Sequence, residues 1–124
     1  MRETKFKGWD RINKRWVKLW KLCFAVTGEL MAIEDIEGEI YGKHQVALVE
    51  YTGREDKNGK EIYEGDIVKF LYNRKEYILP ISWGTDGWWV KGLGWFKELY
   101  WAKDRCEVIG NIYENPELLT KELE

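Results

Sequence analysis

Short apolar runs punctuated by turn residues recur along this chain, and no run is long. Lys5-Phe6-Lys7-Gly8-Trp9 begins with polar-apolar alternation and stops at Asp10-Arg11-Ile12-Asn13-Lys14, which reads as a turn. That pattern predicts a first short strand and a hairpin. Thr27-Gly28 and Glu37-Gly38 read as further turns, Gly42-Lys43 as the start of a connection, and Gln45 to Tyr51 as a buried run carrying Val46, Leu48 and Val49. Between Tyr51-Thr52 and Ile62-Tyr63 lies Asp56-Lys57-Asn58-Gly59, where Asn-Gly supplies the positive-φ positions of a tight hairpin turn.

Glu64-Gly65-Asp66 predicts a bend into the β-branched run Ile67 to Phe70. Glu76 to Ile81 is a further strand, and Pro80 within it argues for an edge or a bulge because proline removes a ladder donor. Gly84 to Gly87 forms a turn, and Gly87 to Lys91 the next strand, broken by Gly92 and Gly94. Cys106 to Tyr113 closes the set. Two stretches read both ways. Arg15 to Val26 places Trp16, Leu19, Trp20, Cys23 and Phe24 at helical spacing but is rich in strand formers, and Phe96 to Trp101 fits a strand or one helical turn. Asn115-Pro116-Glu117 has the order favoured at a helix N-terminus, so a short helix or tail is expected over residues 116–124.

Many short strands spaced by turns predict a mainly β fold, with a small SH3-like barrel over residues 51–115 and an N-terminal β-hairpin or arm region over residues 1–50. Gly65-Asp66-Ile67-Val68 resembles the entry to such barrels. With 124 residues and no linker or repeat, one domain is the economical reading. No run approaches the ~20 apolar residues a membrane span needs, and residues 1–5 lead into no signal-peptide core, so a cytoplasmic protein with no membrane partner is expected.

Composition adds one anomaly. Eight Trp, seven Tyr and four Phe make the chain 15% aromatic. Trp83, Trp88, Trp89, Trp95 and Trp101 crowd one segment, and neighbours on a strand face opposite ways, so one of Trp88 and Trp89 belongs to the core and the other outside it. These five are candidate anchors for a protein partner, or a stacking platform for single-stranded nucleic acid beside Lys91, Lys97, Lys103 and Arg105. The bland reading, that most of the rings fill the core of a small barrel, carries somewhat more weight.

Net charge is −2, yet residues 2–21 hold eight basic side chains against Glu3 and Asp10, while residues 29–39 hold Glu29, Glu34, Asp35, Glu37 and Glu39 with no basic residue. Arg11, Lys14, Arg15 and Lys18 are therefore the residues of an alternative, nucleic-acid-binding reading. Attraction between the two segments, or between subunits, is the more economical one.

Catalytic and metal chemistry fare worse. His44 has no nucleophile or acid at a motif spacing, and Cys23, His44 and Cys106 contain no short ligand pair, so two free buried thiols are expected, with no metal and no cofactor. Asp56, Glu61, Glu64 and Asp66 could hold a hard cation, but carboxylates in turns more often cap backbone donors or lie in solvent.

Three blocks resemble the YopX family of phage and prophage proteins. They are Lys5-Phe6-Lys7-Gly8-Trp9-Asp10 with Asn13-Lys14; Tyr51-Thr52-Gly53 with the run Asp56 to Val68; and the run Glu107 to Leu119. The resemblance implies a β-rich phage or prophage product, tips Arg15 to Val26 to strand, points to assembly as an oligomer, and supplies no catalytic residue. Glu50, Arg54 and the Trp-rich segment depart from the family pattern. The expectation is a non-catalytic accessory protein, not an enzyme, that binds a protein partner, itself included.

Overall fold

The computed structural model describes residues 5–83, 87–92, 95–98 and 103–120. The protein is mainly β, with a curled half-barrel sheet and one short C-terminal helix. Clustering of the backbone divides it into two compact units that meet in sequence at Glu50 and Tyr51.

In the first unit, Lys5–Glu50, strands β1 (Phe6–Asp10), β2 (Arg15–Val17) and the first half of β6 (Val46–Glu55) form antiparallel ladders, β1 lying between the other two. Strands β3 (Leu19–Phe24), β4 (Leu30–Asp35) and β5 (Ile40–Gly42) form a second, three-stranded sheet in that order. The stretch from Arg15 to Phe24 is therefore strand, interrupted at Lys18. Leu22, Ile33 and Tyr41 stand in one cross-strand row. Ile33 and Tyr41 join Val17 and Val46 in a buried cluster, with Leu19, Leu22, Leu30 and Leu48 packed against it.

In the second unit, the latter half of β6 pairs with β7 (Glu61–Tyr63). A five-stranded antiparallel sheet runs β11 (Trp95–Glu98), β10 (Trp88–Gly92), β9 (Lys75–Trp83), β8 (Asp66–Tyr72), β12 (Cys106–Asn111). Gly92, expected to break β10, is its last residue and pairs with Trp95. Ile62, Val68, Phe70, Leu79, Ile81, Trp88, Val90 and Cys106 make its core. Strand β9 is interior, yet its ladder with β10 stops at the Ile81–Val90 pair, so Pro80 lies just past the last β10 partner while pairing with Ile67 on β8. The missing donor thus falls where the sheet is locally an edge.

The turn chemistry differs from the sequence pattern in two places. At Asp56–Lys60 only Gly59 has positive φ (82°); the Asp56 N–H donates to the Lys60 carbonyl and the Gly59 N–H to the Asp56 carbonyl. This is a three-residue loop closed by a left-handed glycine, rather than a two-residue Asn-Gly turn. The two-residue turn with both φ positive is instead Asn73-Arg74 (54° and 65°), between the paired Tyr72 and Lys75.

At the C-terminus, helix α1 (Glu117–Thr120) is one turn long. Asn115 does not spend its side chain on that helix: its Oδ1 accepts from the Asn111 N–H, lying so close to Gly110 that a Cβ there would meet it at 2.6 Å. Gly110 is thus required by close approach.

Candidate binding surface

Three acidic turns organise the first half of the chain. The Asp35 Oδ1 accepts from the Glu37 and Glu39 N–H groups, and the Asp56 Oδ1 from those of Asn58 and Lys60. Asp10 does the same for Ile12 and Asn13. All three carboxylates are buried. Burial alone would raise their pKa values, but the donors around each outweigh it and hold all three below the ordinary carboxylate value, Asp10 at about 2. The Asp66 Oδ2 accepts from the Tyr63 N–H. Asp56 and Asp66 are therefore capping groups, as the turn reading of these carboxylates anticipates. Among the described residues no cluster of His, Cys, Asp and Glu could hold a metal ion.

The four basic candidates are all exposed, and they are held differently. Arg15 Nε lies 3.6 Å from Asp10 Oδ2, and its Nη2 donates to the Tyr41 hydroxyl at 3.1 Å and stands 3.8 Å from Glu39. Tyr41 in turn donates to the Asp35 Oδ2 at 2.8 Å. Burial, then this bond to Asp35, pushes the Tyr41 hydroxyl up to about 12. Arg15 and Tyr41 therefore join the Asp10 and Asp35 turns. Arg11 donates to the His44 carbonyl, while Lys14 takes a left-handed conformation (φ 56°) at the end of its turn and Lys18 is exposed. His44 is exposed, Cys106 is buried, and Cys23 is only half-buried, so one of the two free thiols is more accessible than expected.

The tryptophan candidates separate. Trp88 is a core residue, and Trp83, half-exposed, meets it edge to face with ring centroids 4.7 Å apart. Trp89 and Trp95 lie on β10 and β11, and Trp101 lies outside the described residues.

Most of the exposed apolar side chains lie elsewhere. Among the described residues, Phe6, Ile12, Trp20, Phe24, Val26, Met31, Ile36 and Ile40 belong to the first unit; Leu71, Trp83 and Ile112 belong to the second. Trp20 is 70% and Ile40 68% exposed. The outward face of the three-stranded sheet follows from its register. Opposite the buried row Leu22, Ile33, Tyr41, the rows Lys21, Glu34, Ile40 and Cys23, Ala32, Gly42 face away from the cluster. The sheet has two register shifts, one leaving Trp20 unpaired on β3 and the other leaving Met31 unpaired on β4 beside Phe24. Bulges re-aim side chains, and all three are exposed, Phe24 on the same side as its partner Leu30, which packs against the cluster. Sequence reasoning missed this surface because it weighed the density of tryptophans rather than the position of single apolar residues beside turns.

These features define a mainly β protein that, among the described residues, exposes apolar side chains such as Trp20 and Ile40 on the sheet β3–β5. The chain belongs to the YopX family, whose model, described as YopX protein, matches residues 5–120. Two solved structures are similar. Protein EF1440 from Enterococcus faecalis is 26% identical with a TM-score of 0.74, covering 96% of this chain and 99% of that one. Protein yopX from Bacillus subtilis is 20% identical with a TM-score of 0.66, covering 95% and 98%, a likeness of fold alone. No curated protein matches the chain. No helix among the described residues is long and apolar enough to cross a membrane.

Proposed function

We propose that this chain is a non-catalytic accessory protein of phage or prophage origin that acts in the bacterial cytoplasm by binding protein, with the sheet β3–β5 as its contact surface. The observation that carries this reading is that, among the described residues, most exposed apolar side chains lie in Lys5–Glu50, with Trp20 and Ile40 about seventy per cent exposed. Monomeric proteins rarely expose large contiguous apolar surface, and an exposed Trp is a common hot-spot anchor. Nucleic-acid binding through Arg11, Lys14, Arg15 and Lys18 is the weaker reading, since Arg15 is committed to Asp10, Glu39 and Tyr41.

Hydroxyl-radical footprinting tests the surface directly. Trp20 and Met31 should be oxidised readily in dilute purified protein and protected in concentrated protein or in host-cell extract. Unchanged oxidation in all three, or protection confined to Trp83, would overturn the assignment. Salt-sensitive binding of oligonucleotides that is lost on replacing Lys14 and Lys18 with Ala would select nucleic acid instead.

A further inference from the structure

We propose that Asn58 is a modification site: its side-chain amide is lost spontaneously through a cyclic imide with the Gly59 nitrogen, at a rate set by the Asp56 loop. The chain has five asparagines. The Asn13 amide donates to Asp10 Oδ2 and that of Asn111 to Glu114 Oε1, while Asn115 Oδ1 accepts from the Asn111 N–H. Asn58 and Asn73 are exposed, and no hydrogen bond among the described residues holds either side chain. Of these two, only Asn58 precedes a glycine. Having no Cβ, glycine leaves its nitrogen freest to attack the side-chain carbonyl carbon of the residue before it.

The reaction is an acyl transfer within the chain. The Gly59 nitrogen bonds to Asn58 Cγ, the Cγ–Nδ2 bond breaks, and the Gly59 proton leaves with the departing ammonia. Water then opens the ring at either carbonyl, giving aspartate or isoaspartate at position 58. The folded loop holds the attacking nitrogen back. The Gly59 N–H donates to the Asp56 carbonyl at 3.0 Å, and the Asn58 and Lys60 N–H groups donate to Asp56 Oδ1 at 2.8 and 2.9 Å. Turning the nitrogen toward Cγ rotates the Asn58–Gly59 peptide and gives up its bond to Asp56. Opening is also resisted from β12, because the Val108 N–H donates to Asp56 Oδ2 at 2.9 Å and the Lys57 N–H to the Cys106 carbonyl at 3.2 Å. Reaction therefore proceeds from a locally opened loop. Either product places a new negative charge near the buried Asp56 carboxylate, and isoaspartate also lengthens the main chain between Asp56 and Lys60. The loop then closes less well, and its tie to β12 is loosened for the rest of the molecule's life.

Mass spectrometry of the full chain held in mildly alkaline buffer tests this, with a free peptide of residues 51–63 beside it. Asn58 should convert, yielding isoaspartate that an isoaspartyl methyltransferase labels, at least about tenfold more slowly than in the peptide, where no fold restrains the loop. Asp56→Ala should recover most of the peptide's rate. Val90→Ala, which opens a cavity in the larger core on β10 and leaves the loop's bonds in place, should accelerate conversion far less. No product at Asn58 in either the wild type or Asp56→Ala would overturn the site. A wild-type rate equal to the peptide's, or equal acceleration by Val90→Ala and Asp56→Ala, would overturn the loop's control.

Discussion

Asp35-Ile36-Glu37-Gly38-Glu39 in the first unit and Asp56-Lys57-Asn58-Gly59-Lys60 in the second fold into the same turn. In each, the aspartate N–H donates to the fifth residue's carbonyl, the carboxylate accepts from the third and fifth N–H groups, and the glycine is left-handed (φ 88° and 82°). Among the described residues, the units these turns serve differ in how many apolar side chains they expose. Eight buried residues make the core of the second, from Ile62 to Cys106, while the first has a cluster of four and displays Trp20, Phe24, Met31 and Ile40. Equivalent local stitching therefore serves sheets whose described apolar side chains differ in exposure. Register shifts occur in both units, at Trp20 and Met31 in the first and between Val108 and Gly110 in the second, so the exposed side chains of the first are set by where its shifts fall rather than by their presence.

The most severe break in this comparison is a cavity in the larger core. Phe70→Ala removes a fully buried ring and should cost about 3–5 kcal/mol in urea denaturation. Ile40→Ser, at a position 68% exposed, should change stability by less than about 0.5 kcal/mol while weakening association. Equal losses from the two would show that the first unit hides Ile40 after all.

Removing the shared stitch comes next. Asp56→Ala strips acceptors from Asn58, Lys60 and, through Oδ2, the Val108 N–H at 2.9 Å, and should cost about 2–3 kcal/mol. Asp35→Ala removes two backbone bonds and the Tyr41 partner, so a loss of about 2 kcal/mol is expected, leaving a buried hydroxyl whose remaining contact is with Arg15.

The pH dependence follows with its sign fixed. Asp10, Asp35 and Asp56 all have lowered folded-state pKa values, so their contribution is complete above the unfolded value of 3.8 and is lost as pH falls toward the folded values, about 2 for Asp10. Circular dichroism should show the midpoint in denaturant dropping steeply between about pH 4 and pH 2, and a flat profile there would remove the buried-carboxylate account. The smallest effect is a gain. Arg74→Gly relieves a left-handed arginine in the β8–β9 turn and should stabilise by about 0.5–1 kcal/mol, less the entropy that glycine adds to the unfolded chain.

Most strands were legible because turn residues bracket them. Thr27-Gly28, Glu37-Gly38 and the Asn58-Gly59 loop all fall at hairpins, and β6, β8, β9 and β12 lie on the apolar runs that predict them. Arg15 to Val26 was ambiguous for a physical reason. The interruption at Lys18 and the extra residue at Trp20 destroy the period of two, and the survivors Trp16, Leu19, Trp20, Cys23 and Phe24 imitate a helical stripe. The turn at Asn73-Arg74 was hidden because its second position lacks the glycine that normally announces it. The surface was the least legible part. A tryptophan is equally good core and equally good anchor, and Trp88 shows the first use while Trp20 shows the exposure needed for the second.

The bond from the Val108 N–H to Asp56 also orders events in time. It joins positions 52 residues apart, so the loop that appears self-contained in the sequence lacks its last donor until β12 has been made and has paired with β8. On a ribosome, the Asp56 loop emerges with its local bonds available and then waits while about fifty more residues are added, at roughly 5–20 residues per second. The first unit has no such wait: the last residue its ladders need is Glu50, partway along β6, so they can close while the rest of the chain is still being synthesised.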